Sequence, residues 1–552
     1  MLQILPIEEL RSLIRGDVLT DSATLKTHSQ DTSIFEIMPE IVVYPKHKED
    51  VQEVVRFVNK YKATFPSLSI TARSAGTCMS GGPLNTSIIL DCTKYMNEII
   101  SVDSKQAIVE PGCYYRNFEK ETKKVGAMMP SYTASKELCA VGGMVSNNSG
   151  GEKTIKFGKT ENFVQELEVV FSDGNVYTVR SMTRAELEKK INENTFEGNL
   201  YQKIYSLIQE HEDILTAAKP RVSKNSAGYY IWNVWNKETS IFDLCKLVTG
   251  SQGTLGIITK ITFKLVPIEP YSNTVAIFMP TLEHLGDVVK TITPLKPDGF
   301  ESYDDYSMKL AVRFFFDFFK YLGFWETIKL GLRFLPEAKM IVLGGVPKLT
   351  LLVEFCGAHE DEIHQKLAEV AEKMVPYGFK THIAKNAAEA EKYWKIRHES
   401  FNMLRRHMTG RRTAPFIDDI IVRPEHMTEF LPRLQKLLND YKLTYTIAGH
   451  AGDGNFHIIP LMDLHLPKTH TTIIELSHKV YDLVLEYKGS ITAEHNDGII
   501  RTPFLEQMYG KEVTTLFKNV KEIFDPKYIF NPRKKVGGTF EDIKKYMRTK
   551  NE

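Results

Sequence analysis

The stretch Val141–Gly151, which reads VGGMVSNNSGG, holds four glycines and two asparagines in eleven residues. It is the second of three glycine-rich stretches along the chain: the first, Arg73–Gly82 (RSAGTCMSGG), follows a short apolar segment, and the third, Gly250–Thr259 (GSQGTLGIIT), precedes another strand-like segment. Glycine lets a backbone approach a ligand closely, and consecutive N–H groups can form an anion-binding concavity. One such loop alone fits an ordinary turn between a strand and a helix equally well. Three of them in one domain indicate a long ligand, such as a dinucleotide, that needs several backbone contacts.

Composition places the chain among globular proteins of more than one domain. It has 552 residues, of which 42% are apolar and 25% charged, enough for two or more full cores. The net charge of +1 gives no overall attraction for nucleic acid, so we expect no such partner. Six cysteines are scattered without a Cys-x-x-Cys spacing, which argues against a cysteine zinc site or an iron–sulfur cluster. The start of the chain lacks the pattern of a secretory signal, so we expect a reducing cytoplasm.

Four regions follow from the alternation of apolar segments and turns. Residues 1–37 are predicted to form a leader with one short helix, and 38–267 an α+β domain of mixed strands and helices. Residues 268–488 are predicted to form a second α+β domain, with an antiparallel sheet and helices on one face. Residues 489–552 form a C-terminal segment.

The three loops, in this order, resemble the flavin-binding domain of the vanillyl-alcohol oxidase type over about Ile41–Pro267. The resemblance implies two α+β subdomains that clasp FAD, with the pyrophosphate against the first loop. The chain's end near Asn531 also resembles the point where the family's chain returns to the flavin. The first loop has no histidine, so we expect non-covalent FAD, with Cys139 as the candidate for a thioether link. The residues expected at FAD are Arg73, Ser74, Ala75, Gly76, Thr77, Gly142, Gly143, Ser146, Asn147, Asn148, Gly253, Ile258 and Asn531.

A second motif, His450–His457 (HAGDGNFH), joins two strand-like segments through a tight turn. A hairpin there would bring His450 and His457 close enough to share zinc or a similar ion. Glu494 and His495 follow downstream. If they lie on a strand, their side chains point to opposite faces. Taken singly, most histidines are hydrogen-bonded residues that bind no metal.

Together these residues resemble the C-terminal domain of FAD-linked D-2-hydroxyacid dehydrogenases, the D-lactate and D-2-hydroxyglutarate type. The resemblance implies that His450, His457 and Glu494 bind a divalent metal, with zinc the first choice, and that His495 is the general base. It assigns Arg397 to the substrate carboxylate, which a guanidinium can bind through two hydrogen bonds. Arg411 and Arg412 are weaker candidates for a doubly charged acid. Asn496 departs from the family's Glu-His-Gly pattern, and we expect substrate choice to lie there.

The implied activity is the oxidation of a D-2-hydroxy acid to the 2-oxo acid, with the hydride passing to flavin N5. With no iron–sulfur motif in the chain, the electrons would pass to a separate acceptor, which could be a quinone, an electron-transfer protein or oxygen. Two alternatives remain open. One is another flavoprotein of the same superfamily, such as an alcohol oxidase or an alkylglycerone-phosphate synthase-like enzyme. The other is a non-catalytic, membrane-associated flavin-binding module.

An aromatic and basic segment, 308–345, has too many charges to span a membrane. It could form amphipathic helices on the inner face of a membrane, as a peripheral contact. Alternatively, its aromatic residues pack on the substrate domain or in a homodimer.

Overall fold

The computed structural model describes residues 5–306, 308–309, 345–406 and 412–549. The predicted insertion at 308–345 and the candidate Arg411 therefore lie almost wholly outside the described residues. No helix within the described ranges is long and apolar enough to cross a bilayer.

The first domain begins with a four-stranded sheet whose inner strands are parallel. Helix Lys48–Tyr61 covers it because its apolar residues recur at helical spacing, at Val51, Val54, Val55 and Val58, and all four are buried. In order across the sheet the strands are Asp17–Leu19, Ile41–Tyr44, Ile88–Asp91 and Ile70–Arg73.

A seven-stranded antiparallel sheet forms the rest of this domain. Its core includes helix Val141–Asn147, which the sequence analysis treated as a loop. The helix forms there because Val141, Met144 and Val145 share one face and pack into the core. In order the strands are Trp235–Asn236, Ile241–Asp243, Val176–Thr183, Val164–Val170, Ile257–Lys264, Gln106–Val109 and Ile99–Val102; Ala127–Met128 pairs separately with Val266–Pro267.

The second domain is built on an antiparallel sheet. Val275, Ile277 and Met279 alternate toward a large core shared with four helices, Leu285–Ile292, Glu360–Met374, Met427–Asp440 and Pro467–Glu486. The strands in order are Lys380–Ile383, Tyr271–Met279, Leu349–Gly357, Gly299–Asp304, Thr444–His450, Asn455–Met462 and Arg412–Thr413, with Ile420–Ile421 also pairing with Asn455–Met462.

The opposite face of this sheet carries a fifth helix. Ala276 and Phe278 pack there against Tyr393 and Ile396 of helix Ala387–Arg406. The prediction that all helices lie on one face is therefore wrong for this helix. The strands are apolar on both faces here, so helices pack against both faces of the sheet.

The C-terminal segment returns to the first domain. After helix Leu505–Phe524, which breaks at Gly510, Phe530 forms a parallel bridge with Ile70. The backbone of Ile70 also exchanges hydrogen bonds with Ile529 and Asn531, at 2.7 and 2.8 Å. The remaining helices are Ile7–Leu13, Ser22–His28, Tyr115–Lys124, Thr154–Phe157, Arg184–Ile191, Phe196–Glu210, Glu212–Ala218, Cys245–Val248, Gly498–Arg501 and Phe540–Tyr546.

Candidate active site

The three glycine-rich stretches line a cavity of about 390 Å³, which the second domain closes at one end. The side chains of that end include Arg397, His450, His457, Glu494 and His495. The expected FAD residues that line the cavity are Arg73, Ser74, Ala75, Gly76, Thr77, Gly142, Gly143, Ser146, Asn147, Gly253 and Ile258.

Glycine is needed where these stretches approach other groups. A Cβ at Gly142 would lie 2.6 Å from Pro111, and one at Gly76 would lie 2.3 Å from the guanidinium of Arg73. At Gly150 a Cβ would lie 2.6 Å from Oε2 of Glu494. The second glycine-rich stretch therefore touches the predicted metal site directly, and the two motifs belong to one site.

Two of the expected FAD residues do not line the cavity. Asn148 is buried at the end of its helix, where its amide exchanges two hydrogen bonds with Glu161. Asn531 donates to the carbonyls of Gly82 and Gln252, at 3.0 and 2.7 Å, and accepts from Thr71. Asn531 thus ties the first stretch to the third from behind, and both asparagines position loops.

The hairpin places the two motif histidines on one face. His450 lies opposite Asn455 and His457 lies opposite Ala448, so the histidines are diagonal neighbours rather than a direct pair. Their ring centroids are 5.2 Å apart. Both rings point to the cavity side of the sheet.

Glu494 brings these histidines together. Its Oε1 lies 3.0 Å from Nε2 of His450 and 3.5 Å from Nε2 of His457. Donor atoms that share a tetrahedral cation at about 2.0–2.2 Å are about 3.3 Å apart, so this spacing fits a shared metal ion. The Nζ of buried Lys224 lies 3.4 Å from the other oxygen, Oε2. Oε1 is therefore the oxygen that faces the histidines.

Glu494 and His495 do not lie on a strand, so the condition under which their side chains would point to opposite faces is not met. Asp419 holds their backbone in an irregular turn: its Oδ2 accepts from the N–H groups of Glu494 and His495, at 2.9 and 2.7 Å. Both side chains consequently line the same cavity.

Asp419 also lies close to the predicted metal ligands. Its carboxylate, His457, Glu494 and His495 have ligand atoms within 4.8 Å of one another. However, Asp419 already accepts hydrogen bonds from Thr492, Asn455 and two backbone N–H groups. A carboxylate occupied in this way positions the loop. His450 is not a member of this four-residue set, so its assignment as a metal ligand stays a prediction.

Two buried carboxylates that orient the imidazoles were not predicted from the sequence. Asp418 accepts from Nδ1 of His495 at 2.5 Å and from Nδ1 of His457 at 3.2 Å. Glu301 accepts from Nδ1 of His450 at 2.5 Å. These contacts direct the Nε2 atom of each imidazole toward the site and fix the tautomer. The available signal was the charged pair Asp418–Asp419 within the apolar run APFIDDIIV, whereas Glu301 stands among several aspartates and gave no signal.

Charge pairing dominates the electrostatics of these groups. Burial raises the pKa of Glu301, but the charges of His450, Arg397 and Lys224 outweigh it and lower that pKa to about 2. Burial lowers the pKa of His495, but the carboxylates of Asp418 and Asp419 outweigh it and raise that pKa to about 9. For His457 burial prevails, and its pKa falls below the ordinary value.

Arg397 is tied to the same network. Its Nε and Nη2 lie 3.2 and 3.1 Å from Oε2 of Glu301, whose other oxygen holds His450. Arg397 thus reaches the cavity beside the predicted metal ligands. Arg412 is not among the residues that line this cavity.

Asn496 has a structural role that was not predicted from the sequence. Its φ is 68°, a left-handed conformation that Asn tolerates better than most residues. Its amide donates to the carbonyls of Asn147 and Gly250, at 3.1 and 2.8 Å, and the side chain is fully buried away from the cavity lining. The expectation that Asn496 selects the substrate is therefore not supported by its position.

Two known protein families match the two halves of the chain. The family described as "FAD binding domain" matches residues 39–180, and "FAD linked oxidases, C-terminal domain" matches residues 268–535. The chain belongs to the FAD-linked oxidase family. The predicted family resemblance is confirmed, and so is FAD as the cofactor of its first domain.

This FAD-linked oxidase is similar to several characterised proteins. It is 24% identical over 530 residues to a D-2-hydroxyglutarate dehydrogenase of Pantoea ananatis, an alignment covering 94% of the chain and 50% of the relative. The chain therefore spans about half the length of that relative. Two others match nearly end to end: a D-2-hydroxyglutarate dehydrogenase of Stutzerimonas stutzeri (27% identical, covering 96% and 98%) and a D-lactate dehydrogenase of Archaeoglobus fulgidus (25%, covering 90% and 91%).

Solved structures confirm the fold of this FAD-linked oxidase. An alkyldihydroxyacetonephosphate synthase superposes with a TM-score of 0.67 at 16% identity, covering 96% of this chain and 86% of the other. A p-cresol methylhydroxylase superposes with a TM-score of 0.66 at 16% identity, covering 96% of each. The predicted fold class, an FAD-binding domain of the vanillyl-alcohol oxidase type plus an α+β domain with antiparallel sheet, is confirmed.

Proposed function

We propose that this FAD-linked oxidase oxidises a D-2-hydroxy acid, such as D-lactate or D-2-hydroxyglutarate, to the 2-oxo acid. The observation that carries the proposal is the pair of buried carboxylates, Asp418 and Glu301. They orient three imidazoles and Arg397 at one end of the cavity that the FAD loops line. The names of the relatives support the same substrate class.

Each residue has a separate task in this proposal. His450, His457 and Glu494 would hold a divalent cation, and zinc suits two imidazoles and a carboxylate. Such a cation would supply Lewis-acid chemistry at the substrate hydroxyl, and FAD would supply the hydride acceptor. Arg397 binds the substrate carboxylate and so orients C2 toward the flavin loops.

His495 is the proposed general base for the hydroxyl proton. Because Asp418 accepts from Nδ1, the neutral ring carries its lone pair on Nε2, the nitrogen left for the cavity. The carboxylates around His495 favour its protonated form. A divalent cation held by His450, His457 and Glu494 would oppose them and return the ring toward the neutral form that a base requires.

The electrons then leave for a separate acceptor, which could be a quinone, an electron-transfer protein or oxygen. Segment 308–345 stays a predicted contact with the inner face of a membrane, with the substrate domain or with a second copy of the chain. A cytoplasmic location stays a prediction as well.

Anaerobic flavin reduction tests the proposed activity. The purified protein with bound FAD and metal is mixed with D-lactate, with D-2-hydroxyglutarate and with the corresponding L-acids as matched controls. We expect the yellow flavin absorbance to bleach with at least one D-acid and not with its L-enantiomer. Full retention of the absorbance with every acid would contradict the proposal and favour a non-catalytic flavoprotein or another activity of the family.

Two variants separate proton removal from metal binding. His495→Ala is expected to keep its metal but to bleach about 10²–10⁴-fold more slowly, the usual loss when a general base is removed. His450→Ala is expected to lose the metal. His359→Ala, at an exposed histidine outside the cavity, is the control. Unchanged bleaching by His495→Ala would overturn the assignment of the base.

The mode of FAD attachment has its own test. Cys139 lines the cavity, but it is buried and its thiol accepts a hydrogen bond from Thr133 at 3.5 Å. We expect denaturation followed by filtration to release all yellow colour from the protein. Colour that stays with the denatured chain would show a covalent link.

A further inference from the structure

A second, smaller cavity lies between the first domain and the C-terminal segment. Its volume is about 200 Å³, and it shares no lining residue with the FAD-loop cavity. Three basic side chains line it, Lys62, Arg533 and Lys534, against a single carboxylate, Asp542, so the net charge is +2 when both lysines are protonated.

Lys534 is the most unusual of these side chains. It is only 4% exposed, and its Nζ donates to the carbonyl of Leu84 at 2.5 Å. Among the residues that the structure describes, no carboxylate lies within 4.0 Å of this ammonium group. An ammonium group has three donors, and burying it without a counter-charge is costly.

Lys62 also lines the cavity. Its Nζ donates to the carbonyls of Pro66 and Leu68, both at 2.8 Å, and to that of Tyr528 at 3.3 Å. It too lacks an ion-pair partner in the described part of the chain. Arg533, in contrast, is paired with Asp542 at 3.2 Å. The two lysines therefore supply the unmatched charge.

We propose that this cavity binds a phosphate-type dianion, either inorganic phosphate or the phosphate group of a small metabolite. Two unmatched ammonium groups suit a doubly charged ion, and a cavity of about 200 Å³ has room for one. Lysine binds phosphate as a point charge, so the site needs no fork-like geometry.

The protonation of Lys534 is consistent with this ligand. Burial and the charge of Arg533 lower its pKa to about 7. A bound anion stabilises the charged form and so opposes both effects.

Thermal unfolding of the FAD-loaded protein tests the proposal, because FAD keeps phosphate out of the FAD-loop cavity. Phosphate is titrated against chloride at equal ionic strength. We expect a saturable rise of Tm for the wild type and for Lys527→Met, an exposed lysine of the same segment. A tighter midpoint with glycerol phosphate than with inorganic phosphate would identify a metabolite phosphate as the ligand; the reverse would identify the free ion.

Two variants make the test specific. Lys534→Met should abolish the rise of Tm, and Lys62→Met should shift its midpoint at least tenfold toward higher phosphate. If Lys534→Met does not fold, Lys62→Met decides alone. A wild type without a saturable rise, or a midpoint in Lys62→Met equal to that of Lys527→Met, would overturn the proposal.

Discussion

The carboxylate of Asp418 accepts hydrogen bonds from two imidazoles. Its Oδ1 accepts from His457 and its Oδ2 from His495, so a single side chain serves both a predicted metal ligand and the proposed base. The pairing lowers the pKa of Asp418 against the effect of its complete burial. Its charged form is thus maintained in the folded protein.

Asp418→Asn should therefore impair both metal binding by His457 and proton removal by His495. An amide can present its oxygen to only one of the two Nδ1 atoms, and its NH₂ group would favour the wrong tautomer of the other ring. We expect metal affinity, measured by competition with a chelator, to fall about 10–100-fold. Flavin reduction at saturating metal should be slower than in the wild type.

The control for this variant is Asp463→Asn, which removes a carboxylate outside the cavity. It should bind metal and reduce FAD as the wild type does. If Asp418→Asn matched Asp463→Asn in both measurements, the orienting part assigned to Asp418 would be wrong.

Helices and strands with a clear period could be predicted from the sequence. In Glu360–Met374 the apolar residues recur at helical spacing between polar ones, which predicts the helix that the structure has there. Helix Val141–Asn147 was missed because its two glycines signal a turn, whereas burial of Val141, Met144 and Val145 decides the conformation. In this segment the packing of apolar side chains outweighs the low helix propensity of glycine.

The site was predictable only in part, for a related reason. His450 and His457 lie in one hairpin, so their closeness follows from local spacing. Asp418 and Glu301 contact their histidines across 77 and 149 residues of sequence. Contacts that distant depend on how whole sheets and loops assemble, and no short pattern encodes them.

Variants of Asn496, in the turn after Glu494, test how the backbone conformation supports the site. Asn496→Gly and Asn496→Ala lose the same three side-chain hydrogen bonds, but in the alanine variant a residue with a Cβ must adopt the left-handed φ of 68°. We expect Ala to be less stable than Gly by about 1 kcal/mol in urea unfolding. Because the side chain does not line the cavity, Gly should leave the ratio of kcat/KM between two D-acids unchanged within about twofold. A tenfold change of that ratio would instead place Asn496 at the substrate.

The end of the chain holds the loops of the first domain and the turn at the proposed base in place. Asn531 ties the first and third glycine-rich stretches, while Lys535 reaches the turn that follows the proposed base. Nζ of Lys535 lies 2.9 Å from Asp497 and donates to the carbonyls of Ser226 and Gly228. Both members of this ion pair are fully buried, so the segment fixes the position of the Glu494–Asp497 turn against the rest of the protein.

Lys535→Met should destabilise the whole molecule, because it leaves the carboxylate of Asp497 buried without a counter-charge. Breaking a buried ion pair in this way costs about 3–5 kcal/mol, measured here as the free energy of unfolding of the FAD-loaded protein in urea. The double variant Lys535→Met/Asp497→Asn should recover part of that loss, since no charge stays buried and the amide oxygen can still accept from the N–H of Gly228. Lys527→Met, at an exposed position, should change stability by less than about 0.5 kcal/mol. Equal stabilities of the single and double variants would show that the buried charge of Asp497 is not what makes the loss of Lys535 costly.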